Sequence, residues 1–286
     1  MKANTFIIGV QKAGTTSLYR YMSQHPEVYF SEVKEVTYFV DNEQFAKGLD
    51  WYHSFFNKHK QESVIATSYV HMLVDQDAPV RLKEYNPDAK IIICLREPLA
   101  RANSAFHYAV KNGWESEGSS LREVFNHPAD LSGIANIRFH DRNYFENGLY
   151  HKHISNWLKY FPREQIHLVR DVDLRHKTSE ELKKVFDFLD IDSNASIDTS
   201  KEFNKAGKVR SKDLQKLILN KESKLKLFLR RRLPKSLRVW ILGNVVSRIE
   251  AMNRIDESNA EIEAKEIQQY FREDLNKLKN EFGIEL

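Results

Sequence analysis

The stretch TFIIGVQKAGTTSLYRYM, residues 5–22, constrains the fold more than any other part of the chain. Residues 5–10 (TFIIGV) read as a buried strand, and a small-residue turn runs on to Gly14. Thr15 or Thr16 then opens a helix that carries Leu18, Tyr19 and Met22 and stops near His25-Pro26. Further β-rich apolar runs follow at 63–67 (SVIAT), 90–95 (KIIICL) and 166–169 (IHLV), with helical patterns filling most of the space between them. Such alternation favours an α/β fold, a central parallel sheet flanked by helices.

The helical segments are legible. Leu149, Ile154, Trp157, Leu158 and Phe161 form an apolar stripe that ends at Pro162, and Thr178 to Glu181 (TSEE) reads as a capping box ahead of Leu182, Val185, Phe186 and Leu189. Trp51, Tyr52, Phe55 and Phe56 recur at helical spacing and are assigned to packing, as is Trp157. Beyond residue 195 the strand signal fades. Residues 198–212 read as a polar loop, 213–230 and 236–252 as basic amphipathic helices separated by Pro234, and 257–281 as a last helix with Ile262, Ile267, Tyr270, Phe271, Leu275 and Leu278 on one face. The expected organisation is a main domain over 1–212 and a helical extension, 213–286, packed on it.

Composition narrows the class. With 41% hydrophobic and 29% charged residues, the chain has ample apolar material for a globular core. Cys94 is the lone cysteine and lies in KIIICL, so it reads as a buried thiol suited to a reducing compartment. No stretch approaches a membrane span and no charged, apolar leader precedes the first strand, so the expected location is cytoplasmic. The net charge of +4 is uneven: ten Lys/Arg stand against Glu222 and Glu250 between Lys221 and Arg254, giving that segment +8 and the rest −4. This block has two readings, a peripheral contact for an anionic membrane or acidic substrate, or a solvated basic face over a helical cap. No nucleic-acid module accompanies it.

The turn resembles a nucleoside-triphosphate loop with its charge moved. That loop reads G-x-x-x-x-G-K-[ST], the lysine reaching the β/γ-phosphates and the next hydroxyl holding magnesium. Here Gly9 and Gly14 keep the frame, Thr15 stands where the lysine belongs, and Lys12 sits two places before Gly14. Backbone N–H groups and the following helix N-terminus still make an anion site. The run 90–95, a candidate to supply the usual magnesium-binding aspartate, ends instead in Arg96-Glu97-Pro98, and a cation there attracts phosphate and repels metal. Ser104 lies eight residues on, near the expected start of the next helix. Two separated anion sites without metal suit an adenosine phosphorylated at two positions.

QKAGTTSLYRYMSQHPEV resembles the 5′-phosphosulfate loop of the sulfotransferase family, whose donor is 3′-phosphoadenosine 5′-phosphosulfate (PAPS) and whose product is the bisphosphate PAP. LREPLARANSAFHY is similar to the family's 3′-phosphate site, and KEVTYFV, KGLDWYHSFF and ENGLYHKHISNWLKYFP are similar to its heparan-sulfate and bacterial members. FNKAGKVRSK resembles its late donor-binding loop. The resemblance implies a donor site of Gln11, Lys12, Ala13, Gly14, Thr15, Thr16, Ser17, Arg96, Ser104, Lys208 and Arg210, with no metal. It places Lys12 at the bridging oxygen and makes Glu35, in SEVKEVTYF, the base that activates a hydroxyl, or an amine, of a carbohydrate, lipid or small-metabolite acceptor. An unperturbed carboxylate is a weak base at neutral pH, and His71 or His107 is the reserve. The chain departs from the family in VIATSYVHM, which lacks the acidic residue and the Ser/Thr-Pro pair of many relatives. The rivals are a kinase using ATP and magnesium, and a membrane-surface protein keeping a degenerate nucleotide fold.

Overall fold

The computed structural model describes residues 2–116, 118–127, 140–200, 208–209, 254–255 and 265–286. Five strands, β1 (Thr5–Gly9), β2 (Val28–Glu35), β3 (Val64–Ser68), β4 (Lys90–Leu95) and β5 (Ile166–Arg170), form one sheet in the order β2-β3-β1-β4-β5. Every pairing in it is parallel. The helices are α1 (Thr15–Met22), α2 (Asn42–Phe45), α3 (Gly48–His53), α4 (Ala78–Tyr85), α5 (Pro98–Lys111), α6 (Leu121–Asn126), α7 (Tyr150–Trp157), α8 (Asp171–His176), α9 (Thr178–Leu189) and α10 (Lys265–Phe282). The chain divides into two compact units, Met1–Asn204 with Ala264–Leu286, and Lys205–Glu263. In the second, β6 (Lys208–Val209) pairs antiparallel with β7 (Arg254–Ile255).

The parallel α/β sheet is the expected fold, and burial explains why its centre was easy to read. Ile91 to Leu95 of β4 and all of β1 are buried, because covering both faces leaves no polar alternation. Cys94 is a buried free thiol, and burial raises its pKa. The aromatics assigned to packing behave so: Tyr52 and Phe56 are buried, Tyr38 stacks on Tyr52 at 4.7 Å between ring centroids, and Trp157 donates its Nε1–H to the Leu73 carbonyl at 3.0 Å.

Three local expectations differ from the structure. Strand β2 gave no signal in the sequence, because it is an edge strand whose last residues, Glu32 to Glu35, are largely solvated and charged. The capping box at Thr178 does not form. Helix α8 ends one residue before α9, so Lys177 takes the N-cap position, and the Thr178 hydroxyl donates back to Leu174 O at 2.9 Å. Ser104 is not at the start of α5 but in its second turn. The basic helices expected over 213–230 and 236–252 lie outside the described residues.

The last helix is bound by a feature with no local signal. Helix α7 has no side-chain cap from its own segment. Asp274 of α10 supplies one, its two oxygens accepting the N–H groups of His151 (2.9 Å) and Lys152 (3.0 Å). Phe271 lies so close to Gly148 that a β-carbon there would stand 2.7 Å from the ring, so only glycine admits this approach.

Candidate active site

Parallel register brings the ends of all five strands to one edge. Ile7 lies opposite Ser68 and Ile92, Glu35 opposite Ser68, and Leu95 opposite Arg170. The order turns about β1, so the segments after β1 and β4 leave the same edge, the usual ligand position in an open α/β sheet. Lys12 follows β1 and Arg96 follows β4.

The turn after β1 is tied to β4 by Val10 N–H donating to Cys94 O at 2.9 Å, and it closes on itself through Ala13 N–H to Val10 O at 3.2 Å. Gln11, Ala13 and Thr15 are buried; Lys12, Gly14, Thr16 and Ser17 are partly open. Gly14, at φ +86°, is the N-cap of α1 and brings no capping side chain, so the first-turn N–H groups of α1 remain directed at the turn. Its left-handed backbone suits glycine, and an added β-carbon would meet Asp171 Oδ1 at 3.1 Å. Lys12 itself has φ +71°, with its ammonium 4.9 Å from the centre of the Tyr108 ring.

Arg96 meets this turn directly: its Nη1–H donates to the Lys12 carbonyl at 3.2 Å. Its Nε lies 3.6 Å from Asp171 Oδ2, and Arg175 pairs with the same carboxylate at 2.7 Å. Burial pushes the Asp171 carboxyl above its usual range, against the pull of Arg175 and Arg96. Tyr150, the first residue of α7, donates its hydroxyl to Arg96 O at 2.7 Å and so fixes the backbone at the strand tip.

Glu35 ends β2 on the other rim. Lys34 joins it to the turn, donating to Glu35 Oε1 at 3.1 Å and to Thr16 Oγ1 at 2.9 Å, while Val70 N–H reaches Glu35 Oε2 at 3.3 Å. The Glu35 side chain is 38% exposed, enough to meet an acceptor. His71, a reserve base, is buried and bonded to Asp141 at 2.9 Å, and burial lowers its pKa. His151 and His153 are committed to Glu281 and to the Glu146 carbonyl. Ser104 is buried on α5, Lys208 opens β6 of the second unit, and Arg210 lies outside the described residues.

The structure thus brings Arg96 against the Lys12 carbonyl and Lys34 against the Thr16 hydroxyl in the first turn of α1. Among the described residues, no group of three or more His, Cys, Asp or Glu side chains could hold a metal ion, and no helix is long and apolar enough to cross a membrane. The sequence offers no signal for Asp141, whose partners Gln11 and His71 are distant in sequence, nor for the pairing of Asp171 with Arg96, although Arg175 lies only four residues from Asp171. Lys34 stood in plain view beside Glu35, but its bond to Thr16 depends on the unrecognised strand.

The model of the sulfotransferase domain matches residues 2–238. Among curated proteins, the chain is 28% identical over 186 residues to heparan sulfate glucosamine 3-O-sulfotransferase 5 of Mus musculus, covering 65% of this chain and 52% of that protein. It is 30% identical over 188 residues to heparan sulfate glucosamine 3-O-sulfotransferase 6 of the same species, covering 64% and 51%. The chain thus spans about half the length of these relatives. Among solved structures, a sulfotransferase from Alicyclobacillus acidocaldarius superposes with a TM-score of 0.60 at 26% identity, over 90% of this chain and 97% of that one. With the match running through the glycine turn, the Arg96 strand tip and the sheet that joins them, the chain belongs to the sulfotransferase domain family.

Proposed function

We propose that the protein transfers a sulfuryl group from PAPS to an acceptor hydroxyl, an amine being the lesser alternative, and releases PAP. The observation that carries this reading is the meeting of Lys12 and Arg96 at neighbouring strand ends, Arg96 bonded to the Lys12 carbonyl, with Glu35 across the turn. In this reading the N–H groups and hydroxyls of Thr15, Thr16 and Ser17 hold the 5′-phosphosulfate. Arg96 and Ser104 hold the 3′-phosphate. The acceptor oxygen attacks sulfur in line as Glu35 takes its proton, the bond from sulfur to the bridging oxygen breaks, and Lys12 stabilises the charge left on the phosphate. Fixed cations and N–H dipoles perform that last task, so the reading needs no metal.

A carbohydrate leads the acceptor classes, since the relatives above are named for sulfating a glucosamine. The buried thiol Cys94 suits a reducing compartment, and a cytoplasmic location is part of the proposal. The +8 segment 221–254 adds a peripheral contact for an acidic acceptor or an anionic membrane.

The test is calorimetry of PAP in the presence of a chelator, followed by transfer from labelled PAPS to a panel of carbohydrate, lipid and small-metabolite acceptors. PAP binding without metal and label on one acceptor class are expected. Tighter binding of magnesium-ATP than of PAP would establish the kinase instead.

A further inference from the structure

One carboxylate outside every motif grips the turn. Asp141 Oδ1 accepts the side-chain N–H of Gln11 at 2.6 Å and lies 2.9 Å from His71 Nε2. Gln11 and His71 are buried, and the Asp141 side chain is 15% exposed. Burial keeps His71 from charging, although Asp141 pulls the other way. A neutral His71 facing a carboxylate carries its proton on Nε2, so the ring donates and Asp141 accepts twice. The ring of His140 stacks on His71 at 5.7 Å and 21°, and His140 Nε2 lies 3.7 Å from Asp75. The clasp thus joins three distant segments: the glycine turn, the residues after β3, and the segment resuming at residue 140.

What the clasp holds is the residue before Lys12. Lys12 has a left-handed backbone, φ +71°, which costs a non-glycine residue roughly 1–2 kcal/mol and persists only where the surroundings impose it. Arg96 fixes its carbonyl from the β4 side, and Asp141 fixes Gln11 from the β3 side. Between these two anchors the backbone of Lys12 is held, and its ammonium lies 4.9 Å from the centre of the Tyr108 ring. Gln11 Oε1 is buried without a hydrogen-bond partner, so the Gln11 amide is held through its donor end.

We propose that Asp141, oriented by His71, is a positioning residue for sulfuryl transfer that aims Lys12 through Gln11. The inference rests on the proposed function and adds to it a residue that touches neither donor nor acceptor. Because the Lys12 contact strengthens as charge develops on the leaving phosphate, misaiming it lowers kcat and spares binding of PAPS, in which that charge has not yet formed.

The experiment compares wild type, Asp141→Ala, Asp141→Asn and Gln11→Met for kcat with labelled PAPS, PAPS affinity by calorimetry without acceptor, and Tm. Asp141→Ala and Gln11→Met should lose about 10- to 100-fold in kcat, the size of effect that a displacement near 1 Å produces, while PAPS affinity stays within about threefold. Asp141→Asn keeps an oxygen that accepts from both donors and should retain kcat within about threefold of wild type. Gln11→Met leaves the Asp141–His71 pair in place, so it carries the test if Asp141→Ala fails to fold. Wild-type kcat in Gln11→Met, or losses of kcat, PAPS affinity and Tm that fall together without rescue by Asp141→Asn, would overturn the inference. A wild-type protein that neither binds PAP nor transfers label would sink the functional reading itself, and the positioning role with it.

Discussion

Replacing Asp274 by alanine removes the only side-chain cap described for α7, and the loss can be sized from geometry. The carboxylate accepts two backbone N–H groups, at 2.9 Å from His151 and 3.0 Å from Lys152, the second and third residues of the helix. Asp274 is 9% exposed, so water reaches the vacated N–H groups only if α10 lifts. Loss of an ordinary N-cap costs about 0.5–2 kcal/mol, and a buried acid facing a helix N-terminus belongs at the upper end, about 2 kcal/mol. Asp274→Asn keeps one good acceptor and loses the charge, for about 1 kcal/mol. With a urea m-value near 3 kcal/mol/M, the alanine variant should lower the midpoint by roughly 0.7 M at unchanged m. Hydrogen exchange locates the effect: the amides of His151 and Lys152 should lose protection before those of β4. Tyr150 opens the same helix and bonds to Arg96, so PAP binding should weaken in step with the loss of stability. Unfolding midpoints equal to wild type in both variants, with the two amides still protected, would refute the capping argument.

Four further outcomes are expected. Lys12→Ala should lower kcat about 100- to 1,000-fold, as removal of one charge-stabilising donor does, and weaken PAP binding with it, whereas Glu35→Gln should lower kcat about 100-fold with PAP affinity near wild type by calorimetry. Arg96→Ala should weaken PAP binding by roughly 1.5–3 kcal/mol, the scale of a hydrogen bond to a charged group, and equal affinity would remove Arg96 from the donor site. Gly148→Ala should cost about 1–3 kcal/mol by overpacking, because its β-carbon would lie 2.7 Å from Phe271 and 3.1 Å from Pro98, and a thermal melt checks it. Stability should also fall with acid. Burial first, then Arg163 and Lys184, push His167 down to about 4, so between pH 6.5 and 4 the unfolded chain takes up a proton that the folded one refuses. The sign is a loss on acidification, up to about 3 kcal/mol at the acid end, and His167→Phe should flatten the pH dependence of urea unfolding.

What could be read in advance follows the range of the interactions. Strands β1 and β4 announce themselves because burial on both faces writes a nearly continuous apolar run, and β3 and β5 by the shorter runs Val64 to Ala66 and Leu168-Val169. Strand β2 does not, since Glu32 to Glu35 follow edge chemistry rather than core chemistry. Lys12 and Arg96 were legible because each lies within a few residues of its strand end, and a shared edge follows from parallel topology. The Arg96 bond to the Lys12 carbonyl spans 84 positions, the Asp274 cap over 120, and the Gln11–Asp141 bond 130. No local pattern encodes such pairs. Thr178 shows the converse, a correct local motif overruled because α8 leaves no room for the cap.

The separation of Gln11 from Asp141 also sets a timetable for the growing chain. With 130 positions between them and synthesis at roughly 5–20 residues per second, the glycine turn exists for about 7–26 s before its partner is made. Throughout that interval the turn has neither the β4 neighbour in its first seconds nor the clasp until the end, so nascent chains should gain nucleotide affinity late and abruptly. Ribosome pausing between the two segments would lengthen the exposure of the apolar first strand, making translation speed, and not only sequence, a determinant of yield.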